Sequence, residues 1–335
     1  MPTNNSTDDF KEFSISTLDM AFAIPFALNM CLGVCGNALV ITVVRRSRAM
    51  HTTTNFLLVN LAVGDIMILI WNPRWISFVI YPVHPRGTPG DLVCVLYTGN
   101  AIITVVVSAS ILTLVVLAVE RYNALVNAMK GVRISTERLP FVIGGIWGLA
   151  VAVSIPDFLN NYFSTQYKKC LCPFSLELAS KLSIHIYCTI TLLGILPFLI
   201  LSFCYFQILK GVFITNTICA EQSVPSTADD AIRRKLAKLC LSVTCAFYIC
   251  YLPYATFLLF IASVEKGVLI QRQDMFTAML RACEFFVTLS SSLNPVIYAF
   301  QSTSYRQGFK EIWDGRKRCR TKSRKVEVSL KLARI

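Results

Sequence analysis

The sequence predicts an all-α fold, a bundle of seven membrane-spanning helices with a short amphipathic eighth helix. Three observations predict it. Hydrophobic residues make up 55% of the 335 residues and charged ones only 15%, whereas a soluble domain carries about 25% charged residues. About 20 apolar residues cross a hydrocarbon core as a helix, and seven such runs occur: Met20–Val44, Thr54–Ile80, Leu92–Val119, Leu139–Leu159, Leu182–Leu209, Leu236–Val264 and Phe276–Phe300. Finally, 32 Lys+Arg against 19 Asp+Glu give a net charge of +13, and the basic residues are distributed unevenly around the runs.

Each run must be helical, because lipid cannot satisfy the open backbone of a lone strand. Pro73, Pro156, Pro197, Pro253 and Pro295 lie inside runs and predict kinks. With the N-terminus outside, 23 of the 32 Lys+Arg fall on the cytoplasmic side and 9 on or near the outer side. The positive-inside rule therefore orients the chain N-out and C-in, as a multi-pass protein of the plasma membrane. The basic excess is explained by that face and requires no nucleic acid. Residues 1–19 form an extracellular tail, 20–300 the transmembrane domain, and 301–335 an amphipathic helix and basic cytoplasmic tail. The polar start lacks the order of a cleaved signal peptide, so the first run serves as a retained signal-anchor. Most of the 13 cysteines lie in apolar runs, where they act as small hydrophobes.

Three motifs are chemically informative. Glu120-Arg121-Tyr122 ends the third run; an Arg at the mouth of a bundle is costly unless paired, although two charges at a wet helix end are the plainer reading. Asn294-Pro295-Val296-Ile297-Tyr298 ends the seventh run, where Pro295 frees a carbonyl that an Asn or a water can satisfy. Asp65 sits deep in the second run, and an intramembrane acid is a functional-site hypothesis by default. Ser110, Ser291 and Asn294 are its candidate partners.

These motifs in this order resemble the rhodopsin class of G-protein-coupled receptors. Gly36-Asn37, Trp147, Pro197, Tyr205 and Cys250-Tyr251-Leu252-Pro253 also fit. The likeness covers roughly Met20 to Trp313. It implies that Arg121, beside Glu120 and Tyr122, is the switch that meets a heterotrimeric G protein when the sixth helix swings out about Pro253. Tyr205 and Tyr298 would support that open state, with Asn294 and Pro295 shaping the seventh helix. Asp65, Ser110, Ser291 and Asn294 would form a pocket for sodium as an allosteric modulator, with no other cofactor. Cys94 would bond to the second extracellular loop, through Cys170 in a Cys-x-x-x-aromatic pattern like that of neuropeptide receptors, or through Cys172. Arrestin is a further implied partner.

Two departures stand out. Tyr251 occupies a position where the family usually has Trp. Arg233 stands where many members carry the acid that clasps the switch Arg, and a like charge cannot form that clasp. Beyond the seventh run, Tyr305, Phe309, Ile312 and Trp313 fall at helical spacing and predict a helix lying on membrane lipid. The basic run Arg316–Lys325 would rest against anionic headgroups. Cys319 is placed for palmitoylation or remains a cytosolic thiol. Asn4 and Asn5 each begin a glycosylation sequon.

The resemblance also narrows the ligand. The third helix has Ile103 where amine receptors carry Asp, and the seventh has Thr288 where opsins carry Lys. The implied pocket set is Trp75, Asn100, Ile103, Thr104, Val107, Thr189, Tyr251, Tyr254, Leu258, Arg281, Glu284 and Thr288, with Arg74, Lys181, Arg281 and Glu284 as anchors near the outer mouth. That mixture of aromatics, amides and both charges suits a peptide. The alternative reading is that Arg281 and Glu284, three apart on one helix, simply pair with each other. His185 reads as a packing residue. A transporter or channel is the alternative function; it needs paired intramembrane charges, broken helices or internal repeats, and no repeat is seen. A membrane enzyme needs clustered His or carboxylates, and His51, His84 and His185 are scattered.

Overall fold

The computed structural model describes residues 17–76, 85, 87–126, 133–164, 169–172, 183–211 and 227–314. Helix α1 (Thr17–Arg46) is followed by α2 (Thr53–Arg74), α3 (Gly87–Leu125), α4 (Leu139–Asn160), α5 (Ser183–Leu209), α6 (Thr227–Ser263) and α7 (Gln273–Gln301). A twelve-residue helix, α8, runs over 303–314. Strands β1 (Tyr162–Ser164) and β2 (Lys169–Leu171) form an antiparallel hairpin between α4 and α5, with Phe163 opposite Cys170. Asn4, Asn5, Lys181, Cys319 and the run Arg316–Lys325 lie outside the described residues, as does the Arg233 side chain.

Local chemistry sets the helix ends and bends. The Thr52 hydroxyl accepts the Asn55 N–H at 3.3 Å and so caps the start of α2. At the outer end of α2, Pro73 leaves helical geometry (φ −80°, ψ 29°) and closes a last tight turn over Asn72–Arg74. Pro25, Pro156, Pro253 and Pro295 lie inside α1, α4, α6 and α7. Widened π turns interrupt α3 at Cys94–Thr98 and α5 at Thr191–Ile195.

Among the described residues, six helices are long and apolar enough to cross a membrane. The seventh expected run falls within α7, which is long enough at 29 residues but more polar. Its polar side chains turn inward, with Glu284, Thr288, Ser290, Ser291 and Asn294 all buried. The outward faces are the reverse of a soluble protein's: Phe141 is 82% and Phe300 79% exposed, as expected where lipid is the solvent.

α3 sits centrally and touches α2, α4, α5 and α6, while α7 packs on α1, α2 and α6. Backbones approach closely where glycine permits. Pro295 lies 3.0 Å from the position a Cβ would take on Gly36, and Leu69 lies 2.6 Å from the same point on Gly33. Helix α8 turns Tyr305, Phe309 and Ile312 onto the core, and Gly308 lets it settle on Val43 of α1. Trp313 is 62% exposed, as an interfacial side chain should be.

Candidate functional site

Buried polar pairs fix the helices around two sites. Asn37 donates to the Ser291 carbonyl at 2.9 Å and to the Gly33 carbonyl at 3.0 Å, joining α1 to α7. Asn60 donates to the Thr113 hydroxyl at 2.8 Å and accepts the Trp147 indole N–H at 3.1 Å, joining α2, α3 and α4. Trp147, singled out in the sequence only as a landmark, therefore has a mechanical role.

Within this frame, Asn294 donates to the Asp65 carboxylate at 2.7 Å. Asp65, Ser110 and Ser291 are all buried. The Ser110 hydroxyl has no hydrogen-bond partner among the described residues, and it lies 2.7 Å from where a Cβ on Gly64 would stand. The Asp65 carboxylate and the Ser110 and Ser291 hydroxyls are oxygen donors, a chemistry that suits a hard cation.

Toward the outer face lies a cavity of about 590 Å³, within the usual range for small-ligand sites. Of the pocket residues expected from sequence, Asn100, Ile103, Thr104, Val107, Thr189, Tyr251, Tyr254, Leu258 and Glu284 line it. The other four lie outside that lining. The Arg281 guanidinium bonds Glu284 at 2.9 Å and stacks 4.5 Å over the Trp75 ring. Arg74 donates to the Thr98 carbonyl at 2.9 Å and to the Asn100 side chain. The Thr288 hydroxyl is turned to the Phe285 carbonyl at 2.9 Å. Arg281 and Glu284 thus make the intrahelical pair, and the two arginines brace residues that do face the cavity. Tyr251 stacks on Phe247 with centroids 4.0 Å apart, and its hydroxyl is buried without a partner among the described residues.

The outer rim is tied by the Cys94–Cys170 disulfide, with Cα atoms 5.3 Å apart. The hairpin register brings Cys170 to the top of α3, while Cys172 packs into the apolar cluster around Phe257 and Phe276. His185 is not merely a packing residue. It meets Asp157 at 2.8 Å, and Asp157 is 1% exposed. An acid directly after Pro156 inside an apolar run was the available signal, since a buried carboxylate needs a partner.

At the opposite end of the bundle, Glu120 holds Arg121 at 3.2 Å and accepts the Ile134 N–H at 3.3 Å. Tyr122 lies against Phe203, centroids 5.9 Å apart. Tyr205 and Thr244 share a hydrogen bond of 3.0 Å across α5 and α6. Tyr298 is fully buried and stacks on Tyr305 at 5.1 Å. Burial pushes the Tyr305 phenol up from its ordinary value, so it stays a neutral hydroxyl at physiological pH.

Comparison with known proteins agrees with this arrangement. Rat galanin receptor type 1 is 27% identical over 306 residues, covering 90% of this chain and 84% of that receptor. Human neuromedin-K receptor is 28% identical over 317 residues, covering 92% of this chain and 64% of that receptor. The squid rhodopsin crystal structure superposes with a TM-score of 0.70 at 20% identity, over 89% of this chain and 86% of that one, and so shares the fold. The family described as the 7 transmembrane receptor (rhodopsin family) matches residues 36–298, and the chain belongs to that family.

Proposed function

We infer that this chain is a G-protein-coupled receptor that converts binding of an extracellular peptide into activation of a heterotrimeric G protein. The reading rests on one observation above the rest: a cavity open toward the outer half and a Glu120–Arg121 pair at the opposite mouth stand in one bundle of this family. The names of the similar galanin and neuromedin-K receptors support a peptide, and so do Asn100, Tyr254 and Glu284 along the cavity wall. Such groups suit backbone amides, with apolar side chains filling the rest. A peptide library applied to expressing cells, read by calcium and cAMP, is expected to yield an agonist. Purified receptor with that agonist is then expected to accelerate nucleotide exchange on purified G protein. Failure of exchange with every G-protein class would refute the reading, and agonist-independent solute flux would favour a transporter.

The N-terminus faces outward, α8 rests on lipid, and arrestin engages the same cytoplasmic mouth. For the orientation, a tag at Met1 is expected to label on intact cells, and a tag at Ile335 only after permeabilisation. Equal labelling of both on intact cells overturns it.

Sodium is expected to lower agonist affinity by holding the closed bundle, because an ion shifts a population only through contacts it makes in one state. Asp65→Asn should abolish that sensitivity while surface expression persists. The check is agonist displacement with and without sodium; an unchanged sodium effect in the variant removes the site.

A further inference from the structure

The cavity described above does not end inside the bundle. Its lining continues past Tyr251 between α5 and α6 and reaches Ile195, Phe198, Ile249 and Leu252. Those four are outward-facing, at 53%, 50%, 70% and 63% exposure. In a bilayer that face meets hydrocarbon, not water. The void is therefore continuous from the polar wall at Asn100 and Glu284 to the acyl region of the membrane.

Local structure explains the gap. The π turn Thr191–Ile195 turns Gly194 into the cavity lining, where no side chain fills the space. π turns of this kind are common at functional positions. Opposite, Pro253 lies inside α6 and Ala255 is a small residue on the wall. The Tyr187–Ser263 hydroxyl pair at 3.1 Å closes the helices at the outer end, and Tyr205–Thr244 closes them at the inner end. Phe198 and Tyr248, ring centroids 5.3 Å apart, border the opening between.

Two lining hydroxyls, on Tyr248 and Tyr251, are buried without a hydrogen-bond partner among the described residues. A buried hydroxyl without a partner is costly, so both are set to bond an incoming polar group. The one carboxylate on the wall, Glu284, is already neutralised by Arg281. The site thus offers hydrogen bonds to a small head without an unmatched charge, and an apolar slot for a chain.

We propose that the opening between α5 and α6 admits and holds a neutral, hydroxyl-bearing membrane lipid with a single acyl chain. Its head bonds Tyr248 and Tyr251, and its chain lies between Gly194 and Ala255 and out past Leu252. It enters sideways from the bilayer. This route is separate from peptide entry at the extracellular mouth, and its test uses no peptide.

The test uses the full-length receptor in lipid nanodiscs and a monoacylglycerol bearing a diazirine on its chain, with crosslinked residues mapped by mass spectrometry. Labelling is expected to concentrate on Gly194–Phe198 and Ile249–Leu259 and to be competed by unlabelled monoacylglycerol. Ala255→Phe should reduce it at least several-fold, as should Gly194→Leu, whereas Leu149→Phe on the outward face of α4 should not. Labelling of wild-type receptor spread as heavily over α1 and α4 as over α5 and α6 overturns the proposal, and this outcome needs no variant to fold. Stronger competition by the free fatty acid of the same chain overturns the neutral head. Tyr248→Phe with Tyr251→Phe should weaken competition by the monoacylglycerol but not by the matching alkane; equal weakening of both shows that the hydroxyls do not hold the head.

Discussion

Arg121→Ala is expected to silence G-protein activation while agonist still binds. The Arg121 side chain is only 11% exposed, and its neighbour Glu120 holds it at 3.2 Å. Its Nε is buried without a partner among the described residues. A cation kept at a bundle mouth by one adjacent acid is a poor structural anchor but a ready donor for a partner entering from the cytoplasm. A hydrogen bond between charged groups such as Arg121 and Glu120 is worth about 1.5–3 kcal/mol, which is at least several-fold in population. Glu120→Gln should therefore raise basal nucleotide exchange several-fold. It also weakens the acceptor for the Ile134 N–H, so the loop after α3 should loosen with it. Both variants are to be measured at matched surface density. Full exchange by Arg121→Ala, or unchanged basal exchange by Glu120→Gln, would show that the switch lies elsewhere.

The second large effect concerns the disulfide. Cys94→Ser and Cys170→Ser are each expected to abolish agonist binding at the cell surface, whereas Cys172→Ser should retain it. The bond closes a loop of 76 residues, which the chain-entropy estimate values at roughly 4 kcal/mol. It also pins the hairpin to α3, because Cys170 is the strand residue opposite Phe163. Losing it frees the hairpin as well as destabilising the fold. Mass spectrometry of unreduced digests is the direct check, and a Cys94–Cys172 linkage would overturn the assignment.

The helices were legible in the sequence because a bilayer allows few alternatives: an apolar stretch of sufficient length has to satisfy its own backbone. α7 was legible despite its polarity, since Asn294-Pro295 and Tyr298 marked it. The choice between Cys170 and Cys172 was not. The two are two residues apart and face the same side of an extended chain, so only the hairpin's placement, with Cys170 opposite Phe163, decides between them. Contacts between helices were equally hidden. Nothing local joins Asp157 to His185, Asn60 to Trp147 or Arg74 to Asn100, because pairing across a bundle depends on helix rotation and depth. The pocket set was partly legible: those on α3, α5 and α6 face the void, while Arg74, Trp75 and Arg281 are taken up by one another's neighbours. The α5–α6 gap had no signal of its own, since Gly194 reads as an ordinary residue and Pro253 only as a kink until the two helices are set side by side.

The distribution of buried polar links divides the bundle into a stator and an arm. Asn37, Asn60 and Asp65 lock α1, α2, α3, α4 and α7 together through side chains on every one of them. At the Arg121 end, the Tyr205–Thr244 hydroxyl pair joins α6 to α5 among the described residues, a bond whose net worth is about 1 kcal/mol. Next to it the Gln301 side chain donates to Ser242 at 2.8 Å. An outward swing of that arm about Pro253 would break these two weak catches and leave the buried links of the frame in place. Binding energy delivered to the cavity need not remodel the receptor; it has only to release a latch.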